Sequence, residues 1–578
     1  MKHDLIISGG TVIDGTGAPG FIADVAVRDG KISAVGHKLG AARERVDAKG
    51  LFVTPGFVDV HTHYDGQVMW DTTLAPIVWH GVSTAVIGNC GVGFAPARPE
   101  GRDYLVNLMA SVEDIPADAL AAGIGWNWET YPEYLDAVAA KRRTIDIASM
   151  ITHCSLRAYV MGDRAHDEPA PAEITAMADL VREAVRAGAV GVSTSRTVLH
   201  TTIEGRTVPG TDASEAELTA LARAAREGGG GVRGVLEVSP PGVAFAEPVD
   251  LVDAVDMLIR VARESRCPVV FSMLQSNHKP DDYLTVLERV SAAKREGINV
   301  HPEVSTRPIA TLISFQSLFH PFANLPAFAP LKSLGFEQRI TALRDPALRK
   351  QLVTGSNPNP TGLDLVFTSE GFWSQVFITG SPFNYYPSDS DSVQARADKA
   401  GVDAREIAYD AMLERDGRAF LMYATCNWAN RNRKALHAMV THPSALIGLG
   451  DGGAHVTVAG DFSQPTTLLT SWVRDPEAGC SLTLEAAVHK LSLANATVFG
   501  LHDRGALKPG LKADINLIDL DAMSIGDPLM ESDLPLGRPR LDQRASGYVA
   551  TYVGGVRIHE HGKLTGQLPG RVARGNVA

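Results

Sequence analysis

The sequence predicts an α/β protein: a parallel (β/α)8 TIM barrel, a small β-sandwich built from both ends of the chain, and a long insertion between barrel strands 7 and 8. Three observations lead there. Apolar β-forming runs recur eight times with helix-like stretches between them, strand-and-glycine-turn segments occupy both termini, and residues 307–444 interrupt the last β/α step. The expected domains are 1–55 and 501–578 as the two parts of the sandwich, with 56–500 as the barrel.

At the N-terminus, DLIISGGTVIDG, DVAVRDGKISAVG and RVDAKGLFVTPG alternate apolar and polar residues and are cut by glycine turns. KADINLIDLD (512–521) and YVATYVGGVRIHEHGKL (548–564) repeat that pattern at the other end. The barrel runs are FVDVHTH (57–63), TAVIGNCG (84–91), IDIASMITHCS (145–155), AVGVSTS (189–195), GVRGVLEVS (231–239), PVVFSML (268–274), INVHPEVST (298–306) and ALIGLGDGGAH (445–455). PAEITAMADLVREAVRAG and DLVDAVDMLIRVARESR carry apolar residues at i, i+3, i+4 spacing, as crossover helices do. The insertion lies at the rim where a barrel keeps its active site, a natural place for a lid.

Bulk properties exclude several function classes. The 578 residues are 45% hydrophobic and 21% charged, as a folded protein with a large core requires. A net charge of −12 with scattered basic residues gives no support to a nucleic-acid or anionic-membrane partner, and the short Lys141-Arg142-Arg143 run reads as a solvated helix end. No apolar run has signal-peptide or membrane-spanning length, which predicts a soluble cytoplasmic protein. Five sparse cysteines argue against a disulfide framework.

In a barrel of this kind chemistry sits where strands end. His61 and His63 share one face of the first strand, and neutral imidazoles suit zinc and neighbouring metals. Asp451, in GLGDGGAHV, closes the eighth strand, which a barrel brings beside the first; as a carboxylate it suits metal binding and proton transfer. Cys90, in VIGNCGVGF, reads either as a buried small hydrophobe or as a thiolate ligand. For His153, Glu237, His301, Glu303 and His455, a hydrogen-bonded rim position competes with a ligand role.

These residues resemble the amidohydrolase superfamily, and within it the N-acyl-D-amino-acid deacylase (D-aminoacylase-like) family. DLIISGGTVIDGTGAP, PGFVDVHTHYD, GNCG, THCSLRAYVMG, GAVGVSTSR, GRTVPGTDASEAEL, GDGGAH with a following Asp461, and FGLHDRGALKPGLKADINLID carry the resemblance. It implies zinc, one ion or two, held by His61, His63, Cys90 and Asp451, with Asp451 also moving protons. Family members carry further histidine ligands on strands five and six. Here Glu237 stands near one such position and Met273 or Gln275 near the other, so Glu237 enters as an oxygen ligand and another divalent metal becomes an option.

The resulting expectation is a hydrolase of non-peptide carbon–nitrogen bonds that cleaves an N-acyl amino acid or related N-acyl compound by a metal-activated water. His153, Arg157 and Arg307 are candidates to polarise or anchor a small-molecule substrate, and Phe315, Phe319, Phe322 and Phe328 suggest a bulky apolar group or ordinary core packing. The alternatives are the same fold acting on a cyclic amide, lactone or carbamate, or a non-catalytic member that lost metal ligands. A homo-oligomer is compatible with the sequence.

Overall fold

The computed structural model describes residues 2–242, 247, 249–360 and 362–574. Eight parallel strands form one sheet in chain order: β1 (Phe57–Asp59), β2 (Val82–Ile87), β3 (Asp146–Thr152), β4 (Gly191–Ser195), β5 (Val235–Ser239), β6 (Val269–Ser272), β7 (Val300–Val304) and β8 (Leu446–Ile447). Every residue of β2 to β6 is buried, which is why they read as nearly continuous apolar runs: helices cover one face and the barrel interior the other.

The barrel closes just beyond the first and last strands, through a parallel bridge between Thr62 and Gly452. One side chain ties these strands directly, since the Asn495 amide donates to Val58 O and Ile447 O, both at 2.8 Å. The crossover helices have the expected spacing. In Pro171–Ala187, Met177, Ala178, Val181, Ala184 and Val185 form the buried stripe.

Both termini join in one nine-stranded sheet. Its central pair sets Ile515–Ile518 antiparallel to Phe52–Pro55, the strand that leads into β1. Val25, Val53, Ile515, Leu517 and Tyr552 make its core. Between β7 and β8 lies a three-stranded sheet of Ile309–Ile313, Val376–Ile378 and Leu421–Cys426, with helices around it. Leu312 N donates to Val458 O at 2.7 Å, so this inserted sheet is stitched to the loop that follows Asp451.

Phe315, Phe322 and Phe328 are fully buried in a separate core with Tyr409 and Leu421, and Phe319 packs against it. That burial assigns these rings to packing and removes them as a substrate signal. Arg143 is a second correction. Lys141 and Arg142 are exposed as expected, but Arg143 is 1% exposed and its guanidinium donates to Val138 O and Lys141 O. All five cysteines are free and buried. Among the described residues no helix is long and apolar enough to cross a membrane.

Candidate active site

Two histidines emerge from β1 beside the segment that leaves β8. Backbone bonds lock the segments together: His63 N donates to Gly452 O at 2.8 Å and Asp451 N to His61 O at 3.1 Å. The geometry brings Asp451 Oδ1 to 3.4 Å from His61 Nε2 and 3.9 Å from His63 Nε2. Cys90, in the turn after β2, sets Sγ 3.3 Å from the same His61 Nε2. Ligand atoms of His61, His63 and Cys90 lie within 4.8 Å of one another. Two of these groups hold left-handed backbone, Cys90 at φ 54° and Asp451 at φ 48°. Such positions are costly for a side chain other than glycine, and they collect where function demands a fixed direction.

Glu237 stands in the middle of β5, fully buried, and its Oε2 accepts from Cys90 N at 3.0 Å. Its other oxygen has no hydrogen-bond partner. Burial pushes the Glu237 carboxyl up to about 8, with the nearby Glu303 carboxylate adding to the rise and His61 opposing it. Asp59 is pushed up to about 7, again chiefly by burial. Glu113 is raised well above the carboxylate range by burial and by Asp451. Buried acids crowded around two imidazoles favour a bound cation.

The imidazoles themselves respond in opposite directions. Burial disfavours the charge on His61, yet the Glu303 carboxylate opposes it and His61 is held well above normal. Burial and the neighbouring His61 and His455 drive His63 well below normal. Cys90 is pushed up to about 12 by burial, so it is a neutral thiol unless a cation lies beside it. Two imidazoles and a thiol with ligand atoms within 4.8 Å of one another, and the Asp451 carboxylate 3.4 and 3.9 Å from the two imidazoles, are a donor set that fits zinc or a neighbouring divalent metal.

The other candidates lie elsewhere. His153 opens the helix His153–Met161 and is fully buried, with Nδ1 2.8 Å from Thr194 Oγ1 and Nε2 3.0 Å from Glu217 Oε1. Arg157 joins the same group, giving Glu217 two hydrogen bonds and donating to Ala165 O and Asp167 O. Arg307 is 0% exposed; its guanidinium bonds Ser463, Gly460 O and Asp461 and stacks 3.5 Å over the Tyr385 ring. The Arg157 guanidinium is fully engaged by these partners, and both terminal nitrogens of Arg307 are engaged while its Nε has no partner. His301 lies away from the cluster and faces Ser444 O at 3.1 Å.

Strand-end reasoning misses three residues. Glu113 is the last residue of the helix Arg102–Glu113, with Oε1 3.3 Å from His63 Nδ1. His200, in the loop after β4, faces Ser195 Oγ at 2.8 Å and is driven down to about 3 by burial and by His455 and His61. Glu217 sits in a helix. None of the three ends a strand, and the only spacing that marks one, Ser214 three residues before Glu217, signals a helix cap.

The family model of the amidohydrolases matches residues 44–559. The chain belongs to the amidohydrolase family. With its deacylase relatives, that membership makes this chain a hydrolase of carbon–nitrogen bonds other than peptide bonds. The N-acyl-D-glutamate deacylase of Alcaligenes xylosoxydans xylosoxydans is 30% identical over 90% of this amidohydrolase and 88% of its own length. The D-aminoacylase of the same organism is 27% identical over 99% and 98%. Among solved structures, an N-acyl-D-glutamate deacylase from Bordetella bronchiseptica, complexed with zinc and a phosphonate inhibitor that mimics the tetrahedral intermediate, superposes with a TM-score of 0.66. It shares 26% identity over 99% of this chain and 100% of its own. A crystal structure of D-aminoacylase gives 0.65 at 26% identity over 99% of each chain.

Proposed function

We propose that this amidohydrolase is a metal-dependent deacylase that hydrolyses the amide C–N bond of an N-acyl amino acid or related N-acyl compound. The observation that carries the reading is the convergence of His61 Nε2, His63 Nε2, Cys90 Sγ and Asp451 Oδ1 at the C-terminal rim of the barrel. The deacylase relatives support the substrate class. His61, His63, Cys90 and Asp451 would hold a divalent ion, preferentially zinc. When bound, such an ion polarises a carbonyl and lowers the pKa of water toward ~7.

The protein's own groups do the rest. Asp451 is the one donor with solvent access, its side chain 23% exposed, so it faces substrate and water. It takes a proton from water as the oxygen attacks the acyl carbon, then returns that proton to nitrogen as the C–N bond breaks. The products are a carboxylic acid and a free amine. Glu237 takes the place of a histidine beside Cys90, where its unpartnered oxygen is available to a cation. Functionally, the chain divides into a barrel at 56–500, with insertion 307–444, and terminal parts at 1–55 and 501–578.

The test is turnover on paired N-acyl-D- and N-acyl-L-amino acids, assayed as purified, after chelator treatment and after zinc is restored. Amine release that disappears with chelator and returns with zinc supports the reading. Absence of release from every member of the panel by the zinc-loaded protein overturns it.

A further inference from the structure

The metal position described above uses one nitrogen of each histidine, and the opposite nitrogen of each faces its own buried carboxylate. His61 Nδ1 donates to Glu303 Oε2 at 3.0 Å, and His63 Nδ1 lies 3.3 Å from Glu113 Oε1. The two acids come from different parts of the fold, Glu303 from β7 and Glu113 from the end of the helix that follows β2. Both are enclosed, at 0% and 2% exposure.

Glu303 is itself held in place. Its Oε1 accepts from Leu449 N at 3.2 Å, and Gly448 leaves the space it fills, since a Cβ there would fall on the same oxygen. Glu113 is held from the opposite side, with His455 N donating to its backbone oxygen at 2.5 Å and His455 Nε2 4.0 Å from Oε2. Among the described residues, neither His63 Nδ1 nor Glu113 Oε1 has a hydrogen-bond partner, and the two atoms face one another at 3.3 Å as an ion pair outside hydrogen-bond geometry.

We propose that Glu303 and Glu113 are paired positioning residues: each holds the Nδ1 side of one histidine so that both Nε2 atoms aim at Asp451 Oδ1 and one metal position. An imidazole whose Nδ1 carries the proton toward a carboxylate presents a lone pair at Nε2, and fixing its ring orientation raises its strength as a ligand. The inference rests on the metal reading above.

The test is zinc affinity of the full chain by chelator competition, with the cobalt(II) absorption spectrum as a second readout, for the parent, Glu303→Gln and Glu113→Gln. Gln keeps the volume of Glu and removes its charge. Each variant is expected to bind zinc ~10–100-fold more weakly and to shift the cobalt d–d bands, while its metal-free melting curve stays cooperative. Parent-like affinity and spectrum in both variants overturn the positioning role and leave the metal reading intact. Should one variant fail to fold, the other decides. A parent that binds neither metal overturns both.

Discussion

Cys90 Sγ lies 3.3 Å from His61 Nε2, although the thiol comes from the turn after β2 and the imidazole from the end of β1. Left-handed backbone at Cys90, φ 54°, directs the thiol at the histidine, and burial keeps it protonated with a pKa of about 12. Both features suit a group whose charged form exists only beside a cation. Cys90→Ser should therefore fold but bind zinc more weakly, by at least the ~10–100-fold typical of groups that support a ligand. The cobalt(II) form of the parent should show a sulfur-to-metal charge-transfer band that the variant lacks.

Asp451 has a different role and a different expected signature. It touches both imidazoles through one oxygen and keeps access to solvent. Asp451→Asn should lower kcat by ~10²–10⁴-fold, the range of a general acid–base group. Steady-state kinetics beside metal analysis separate a proton-transfer loss from simple loss of metal.

The Glu217 group makes a prediction about stability and pH. Burial alone would raise the Glu217 carboxyl, but His153 and Arg157 hold it down to about 2 against an ordinary 4.5. A depressed acid contributes stability above its unfolded pKa and loses it as pH falls toward the folded one, here between 4.5 and about 2. His153 adds a loss of the same sign at higher pH, because burial lowers its pKa and the unfolded chain takes up the proton first. Urea melts of Glu217→Gln should show a shallower acid limb, and at neutral pH a loss of about 3–5 kcal/mol from stranding buried Arg157.

Gly448 tests the packing beneath the histidines. Its backbone is not left-handed, so the cost of Gly448→Ala is purely the collision of Cβ with Glu303. Displacing Glu303 should destabilise the fold by about 1–3 kcal/mol and weaken zinc binding in the same variant. Thermal melts and chelator competition on one preparation check both effects.

The fold was largely legible because parallel strands buried on both faces leave continuous apolar runs: seven of β1 to β8 fall within the eight runs seen, and β2 starts two residues before its run, at Val82. The proximity of His61, His63, Cys90 and Asp451 was legible for a related reason: barrel strand ends share one rim, so residues far apart in sequence could be placed together. Glu113 and Glu217 were not, since each sits on a helix whose periodicity says which face is buried but not what that face meets. Glu217 follows Ser214 in the pattern of a helix cap, and Ser214 does cap the helix through Glu217 N at 3.2 Å. Its carboxylate, however, turns inward to His153 and Arg157. The partners of Arg157 and Arg307 were illegible for the converse reason: an arginine at a strand end or in a rim helix looks free until its neighbours are known. Phe315, Phe322 and Phe328 look like a pocket lining because sequence cannot separate a ligand site from the insertion's own core.

The central claim is that four side chains from three parts of the barrel hold a divalent metal. It is tested most directly by elemental analysis of protein purified without chelator, run beside Cys90→Ala, Glu237→Ala and Asp451→Ala. The account predicts at least one equivalent, zinc foremost, in the parent and its loss with Cys90→Ala or Asp451→Ala; a second equivalent that vanishes with Glu237→Ala would make the β5 carboxylate a ligand of a binuclear centre. No metal in the parent, and none after reconstitution, would contradict it.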